Sequence, residues 1–326
     1  MAGVSDPRTT SDGGGDAPAP GGPVPPGGPA SGGGTGAVGH DHGSPLAASP
    51  TRFTPRGLAY RVVEPDSGAG DAPWLFLVMG LGQSGAMWWR LLPHVAREHR
   101  VVVYDNRGTG LSPRVGRRLS LGALVADAVD VLDTAGVDRA HVLGASMGGM
   151  VAQHLALDHR ERVASLGLAC TTAHTRAALP NWRLGAATVL RPVAPAALVT
   201  RIVTPALYSA AAVQARPDRL AEDLRVRRRE AARRTTALRQ ALAIGGHDTR
   251  DRLGELAGLR VLVVHGTDDA VVPVERGREL ARLVPGARLV ELPDTGHVLL
   301  TDSEEATAAA VLEHLRAART GAPGPV

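Results

Sequence analysis

Ala140-His141-Val142-Leu143-Gly144-Ala145-Ser146-Met147-Gly148-Gly149 is the stretch on which the fold turns. A short apolar run, Ala140–Leu143, stops at Gly144, and a segment of helical length, Met147–Asp158, begins just beyond it. The chain must reverse sharply between them, with Ser146 at the apex. Gly144 and Gly148, two residues to each side, remove Cβ atoms that would collide in such a turn. A G-x-S-x-G segment between a strand and a helix predicts a strained, exposed serine at the edge of a sheet. The helix that follows aims unpaired backbone N–H groups at the same point. The competing reading is a glycine-rich turn whose serine is incidental.

The pattern repeats outward from this point. Apolar runs at Leu58–Val63, Trp74–Met79, Arg100–Tyr104, Val163–Ala169, Arg260–Val264 and Arg288–Leu292 predict further strands. Helical spacing falls between them at Met87–Glu98, Leu121–Ala135, Met147–Asp158, Glu275–Leu283 and Ser303–Ala318. Continuous apolar strands alternating with helices predict an α/β fold. Its sheet is mostly parallel and covered by helices on both faces.

One interval breaks the alternation. Residues 173–245 show no clear strand and read as several helices with proline breaks, a helical cap inserted into a core of residues 51–172 and 246–320. Over 173–250 there are 14 Arg against 5 acidic residues, whereas the remainder has 22 Arg against 27. Residues 1–50 hold 14 Gly and 9 Pro and no aromatic residue, which predicts a disordered tail. His40 and His42 lie in it without the further ligands a metal site needs. Residues 321–326 read as a loose C-terminus.

Composition removes whole classes of function. All 36 basic residues of the 326 are arginine. Without a lysine there is no Schiff-base enzyme, no pyridoxal-phosphate enzyme and no P-loop NTPase. The single cysteine, Cys170, excludes a disulfide framework and cysteine-built zinc or iron–sulfur sites. Nine aromatic residues are too few for a stacking platform on single-stranded nucleic acid, and the net charge of +4 implies no nucleic-acid partner. No segment has the length of a membrane span and no secretory signal is visible, so a cytoplasmic protein is expected.

An exposed serine needs a base. His297, in Pro293-Asp294-Thr295-Gly296-His297, follows the last expected strand and can take the serine proton and return it to a leaving group. The base needs an acid to hold its tautomer. Asp269, in Thr267-Asp268-Asp269-Ala270-Val271-Val272-Pro273, lies just beyond the strand at Arg260–Val264, with Asp268 as its rival. The order Ser…Asp…His, each beyond a strand end, suits a parallel sheet.

Together, Gly144–Gly149, the Asp269 turn, Gly296-His297 and the segment Tyr104-Asp105-Asn106-Arg107-Gly108-Thr109-Gly110-Leu111-Ser112 resemble the α/β-hydrolase superfamily over nearly all of residues 52–318. The resemblance implies a serine esterase-like enzyme. Ser146, Asp269 and His297 would be its catalytic residues, and the Tyr104–Ser112 loop would be mainly structural. It also implies an oxyanion hole made by the backbone N–H groups of Met147 and Leu81. Where the family usually carries His-Gly before the second donor, this chain has Met79-Gly80; the donor is backbone and survives the change.

The reaction expected is cleavage of a carboxylic ester or related acyl bond in a small-molecule substrate, with no metal and no organic cofactor. A same-fold acyltransferase, perhydrolase or C–C hydrolase would use the same residues. From a different class, Gly80-Leu81-Gly82-Gln83-Ser84-Gly85 matches G-x-G-x-x-G, with Asp105 placed as a ribose-binding acid. That dinucleotide-binding oxidoreductase reading leaves Ser146, Asp269 and His297 unused. A non-catalytic hydrolase-like binder has no need of all three. The nine arginines from Arg216 to Arg239 read as a solvated, ion-paired helix face, or as a cap that draws in anionic substrates. Trp88, Trp89, Trp182 and Tyr208 are candidates for an apolar acyl site or for ordinary core.

Overall fold

The computed structural model describes residues 45–65, 68, 70–116, 119–175, 195–229 and 235–319. Among these, eight strands form one sheet: β1 (Arg52–Phe53), β2 (Ala59–Val63), β3 (Trp74–Val78), β4 (Arg100–Tyr104), β5 (Ala140–Ala145), β6 (Val163–Ala169), β7 (Val261–Gly266) and β8 (Arg288–Leu292). Their spatial order is β1-β2-β4-β3-β5-β6-β7-β8. Strands β3 to β8 are mutually parallel, while β2 runs antiparallel to β4 and β1 antiparallel to β2. Val78 pairs with Gly144 and Ala145 with Ala169, so β3, β5 and β6 end side by side. Gly266 pairs with Leu292 at the ends of β7 and β8. Every loop that follows a parallel strand therefore opens on one edge, where ligands of such sheets are held.

Helices of nine or more residues are α1 (Leu121–Thr134), α2 (Met147–Asp158), α3 (Ala196–Leu207), α4 (Pro217–Arg229), α5 (Thr236–Ile244), α6 (Val274–Leu283) and α7 (Glu304–Arg319). Alternation along each strand sorts the core into two layers. Phe76, Val78, Val102 and Tyr104 pack with Val131, Val151, Leu155 and Leu280 from α1, α2 and α6. Leu75, Leu77, Val101 and Val103 pack with Val311 and Leu315 of α7 and with Leu92. Both faces are dry, which explains why these strands read as unbroken apolar runs.

Some boundaries differ from the sequence reading. The helix expected over Met87–Glu98 is split into a 3-10 turn, Gly85–Trp88, and a short helix, Leu92–Val95. Pro93 lacks an N–H and is tolerated only in a first turn, so the helix restarts there. Of the tail expected over 1–50, residues 45–50 are described. Pro45–Ala48 form a helical turn, and Leu46 is buried among the Leu75-side core. Residues 1–44, His40 and His42 among them, and 320–326 lie outside the described residues, as does Trp182. Between β6 and β7 the regular elements among the described residues are α3 to α5, a short helix at Ala210–Ala215 and a 3-10 turn at Leu253–Leu256, with an isolated bridge between His174 and Asp248.

Candidate active site

Ser146 sits between β5 and α2 with φ 54° and ψ −119°, a conformation that L-residues adopt only under constraint. The constraint is visible. The Ser146 N–H donates to Ala169 O on β6 at 2.9 Å, and the Thr171 hydroxyl donates to Ser146 O at 2.7 Å. A Cβ on Gly148 would lie 2.9 Å from Met79 O, so only glycine lets α2 start this close to β3. A Cβ on Gly144 would lie 2.7 Å from Gly149 N. The glycine spacing thus records two backbone approaches that leave the serine side chain at the sheet edge.

His297 Nε2 lies 3.0 Å from Ser146 Oγ, and His297 Nδ1 lies 2.7 Å from Asp269 Oδ2. The three side chains come from the loops after β5, β7 and β8. Asp269 is buried, and its other oxygen, Oδ1, accepts the Val271 and Val272 N–H groups at 2.8 Å each. Burial pushes its carboxyl up, but the His297 imidazole and the hydrogen bond from His265 outweigh that and hold it well below the usual carboxylate range. An ionised Asp269 must accept from His297 Nδ1–H, which leaves Nε2 as the acceptor facing Ser146. Asp268 is exposed and takes the Thr267 hydroxyl at 3.2 Å, so of the two aspartates it is Asp269 that meets His297.

A partner that the sequence reading missed stands behind Asp269. His265, fully buried at the end of β7, has Nε2 2.8 Å from Val272 O and 3.3 Å from Asp269 Oδ2. A carbonyl only accepts, so Nε2 carries the proton. Gly277 of α6 packs against the other side of that ring.

Leu81 and Met147, the two expected backbone donors, flank the serine. Met147 opens α2, where an N–H has no intrahelical acceptor. Gly80 is pressed onto Ser146: a Cβ there would lie 3.2 Å from both Ala145 O and Ser146 Cβ. The loop is held from outside by Asn106 Nδ2, which donates to Met79 O at 2.7 Å, and by Gln240 Oε1, which accepts from Gly82 N at 2.7 Å. Asp105, the candidate ribose acid, is buried and accepts the Gly85 and Leu111 N–H groups at 2.8 and 2.9 Å. It is committed to the loop, which removes the acid that the dinucleotide reading requires.

Above the serine is a cavity of about 550 Å³. Its wall is largely apolar, with Leu81, Trp88, Met150, Val203, Leu207 and Val298 contributing. Trp88 belongs to it; Tyr208 instead gives its hydroxyl to buried Asp223, which also takes Arg227 Nε at 3.1 Å. Buried Asp223 and half-buried Arg227 bring an ion pair to the same wall. Arg219 is tied to Glu305 at 2.8 Å, while Arg225 and Arg229 are exposed. Arg233 and Arg234 lie outside the described residues. Cys170 is buried at the cavity floor, where burial and the Asp269 charge push its thiol well up. Among the described residues no group of His, Cys, Asp and Glu is placed to hold a metal ion, and no helix is long and apolar enough to cross a membrane.

Residues 73–304 match the profile of the alpha/beta hydrolase fold family. The chain belongs to that family. It is 32% identical over 270 residues to a Shigella flexneri protein named "Putative carbamate hydrolase RutD", a match that spans 76% of this chain and 96% of that one. Among solved structures, a hydrolase from Pseudomonas aeruginosa PA01 is 31% identical with a TM-score of 0.70, covering 82% of this chain and 98% of that one. The enol-lactonase from Burkholderia xenovorans LB400 is 27% identical with a TM-score of 0.73, covering 82% of this chain and all of its own. This α/β hydrolase is thus an enzyme of the hydrolase class.

Proposed function

We propose that the protein cleaves a carboxylic ester, or a closely related acyl bond, through an acyl-enzyme on Ser146. The observation that carries this reading is the continuous chain Asp269 Oδ2 to His297 Nδ1 at 2.7 Å and His297 Nε2 to Ser146 Oγ at 3.0 Å. Ser146 Oγ attacks the substrate carbonyl as its proton passes to His297 Nε2. The carbonyl oxygen becomes an oxyanion facing the Leu81 and Met147 N–H groups, each such donor being worth about 2.7–4 kcal/mol in the transition state. His297 then gives its proton to the departing alcohol, and the acyl group stays on Ser146. Water, deprotonated by His297, attacks next; the tetrahedral species collapses to release the acid and restores the serine proton. Asp269 stabilises the imidazolium in both halves. These steps use no metal and no organic cofactor.

The cavity supports this substrate class. A largely apolar space of about 550 Å³ over the serine suits a hydrocarbon acyl or alcohol group. Leu207 of α3 and Ile244 at the end of α5 stand in the cavity wall, which supports reading residues 173–245, of which 173–175, 195–229 and 235–245 are described, as a helical cap inserted into a core of 51–172 and 246–320. A carbamate is the alternative acyl bond suggested by the Shigella relative's name, and the same attack would cleave it. The apolar wall favours the ester. A panel of 4-nitrophenyl esters of increasing acyl length, run beside an alkyl carbamate, tests this. The expected result is an optimum among medium-chain esters and no turnover by Ser146→Ala. Undiminished turnover by Ser146→Ala would overturn the reading.

A further inference from the structure

Gln240 is fully buried, yet it comes from α5, in the segment between β6 and β7, far in sequence from both of its side-chain hydrogen-bond partners. Its Oε1 accepts the Gly82 N–H at 2.7 Å, and its Nε2 donates to Arg107 O at 3.2 Å. The partners fix the orientation of the amide: an N–H needs the oxygen and a carbonyl needs the nitrogen. Residue 106, next to Arg107, closes the circuit, because Asn106 Nδ2 donates to Met79 O at 2.7 Å. A ring results. It runs from Met79 through Gly80 and Leu81 to Gly82, across Gln240 to Arg107, and back through Asn106. The Gly80–Leu81 peptide, which carries the Leu81 N–H, lies inside it, with Met79 O held on one side and Gly82 N on the other.

We propose that Gln240 is a positioning residue for the oxyanion hole, holding the Leu81 N–H toward Ser146 by gripping the next N–H along the loop. The proposal rests on the reading of Leu81 as an oxyanion donor. It makes the inserted helix a working part of the catalytic machinery as well as a wall of the cavity. Gly82 has φ +70°, so the loop holds a conformation with few alternatives, but the bond that ties the Gly80–Leu81 peptide within the loop, from the Gln83 N–H to Gly80 O, is long at 3.4 Å and calls for further restraint. Side-chain hydrogen bonds from two distant elements supply that restraint. Small displacements of a transition-state donor are costly, since its value depends on where the oxyanion forms and not on where the substrate carbonyl rests.

The test compares full-length Gln240→Leu, Gln240→Glu and Thr236→Val with the wild type. Thr236 lies on the same helix and its hydroxyl donates to Gly108 O at 3.0 Å, so its loss removes a tie of α5 without touching the ring. Turnover of 4-nitrophenyl butyrate is measured together with inhibition by a trifluoromethyl ketone, which forms a tetrahedral oxyanion adduct on serine. Gln240→Leu is expected to lower kcat by about 10- to 100-fold, with KM changed by no more than about threefold. Inhibitor affinity should fall by the same factor as kcat. Gln240→Glu keeps the acceptor for Gly82 and is expected to recover most of the loss. Thr236→Val is expected to keep wild-type kcat. Wild-type kcat in Gln240→Leu, or an equal loss in Thr236→Val, would overturn the proposal while Ser146→Ala stays inactive. Wild-type turnover in Ser146→Ala would overturn the underlying reading, and this proposal with it.

Discussion

Replacing Asp269 with Asn changes one atom and should stop the reaction. The reason is a constraint on how the new amide can sit. Oδ1 of Asp269 holds the N–H groups of Val271 and Val272, each at 2.8 Å. An amide nitrogen turned toward them would leave two buried donors unpaired, at about 1–3 kcal/mol each. The asparagine oxygen therefore takes that side, and its NH2 group faces His297 Nδ1. Nδ1 must then accept, which puts the imidazole proton on Nε2, 3.0 Å from Ser146 Oγ. A protonated Nε2 cannot take the serine proton. Loss of the correct tautomer costs about 10³- to 10⁴-fold in kcat, or about 4–5.5 kcal/mol of barrier. Asp268→Asn is the control, because that carboxylate is exposed and holds only the Thr267 hydroxyl among the described residues. It should stay within about twofold of wild type, as surface substitutions away from a site do. Steady-state turnover at neutral pH, with thermal melting to confirm folding, decides it. A folded Asp269→Asn enzyme with more than a tenth of wild-type kcat, or a larger loss in Asp268→Asn, would refute the reasoning.

Other perturbations probe the supports. Gly277→Ala should lower both stability and kcat: helix propensity favours alanine by about 1 kcal/mol, but its Cβ would lie 2.6 Å from His265 Nδ1 and push that ring onto Asp269. Overpacking of that kind costs about 1–3 kcal/mol, and a urea melt beside turnover measures the balance. Gly296→Ala should reduce kcat about tenfold or more, because its Cβ would lie 2.7 Å from Ser209 N and 2.9 Å from Leu207 O, where the inserted segment is seated beside His297. Asp302 makes that seat sensitive to pH. Its carboxylate accepts the Ser209 and Gly296 N–H groups at 2.8 Å each, and burial, outweighing those bonds, raises it from 3.8 to about 6. A raised carboxyl favours the folded state at low pH and loses that advantage as pH rises through about 6. Asp302→Asn cannot ionise, so its melting temperature relative to wild type should climb between pH 4 and pH 7; a flat difference would refute the assignment.

The serine turn was legible because its constraints are local. Gly144 and Gly148 are demanded by backbone contacts within a few residues and to the neighbouring strand, and those contacts leave a spacing in the sequence. The parallel strands were legible because burial on both faces gives apolar runs. Strand direction leaves no such trace, and the antiparallel pairing of β2 with β4 carries no mark in residues 59–63. Asp269 and Asp268 are adjacent and chemically alike; only the turn that sends one inward distinguishes them. Gln240 and Asp302 were invisible for another reason. Gln240 meets Gly82 from 158 positions away, and Asp302 meets Ser209 from 93. A glutamine or aspartate on a helical segment reads as surface until the fold buries it.

The most direct measurement is the acyl-enzyme itself. Full-length protein is mixed with excess 4-nitrophenyl acetate, quenched in acid during the burst, digested, and the peptides are sequenced by mass spectrometry. The account predicts one acetyl group per active chain, carried by Ser146 and absent in Ser146→Ala. A burst of nitrophenol with the acetyl group on another residue, or turnover with no covalent acyl species at any quench time, would contradict it.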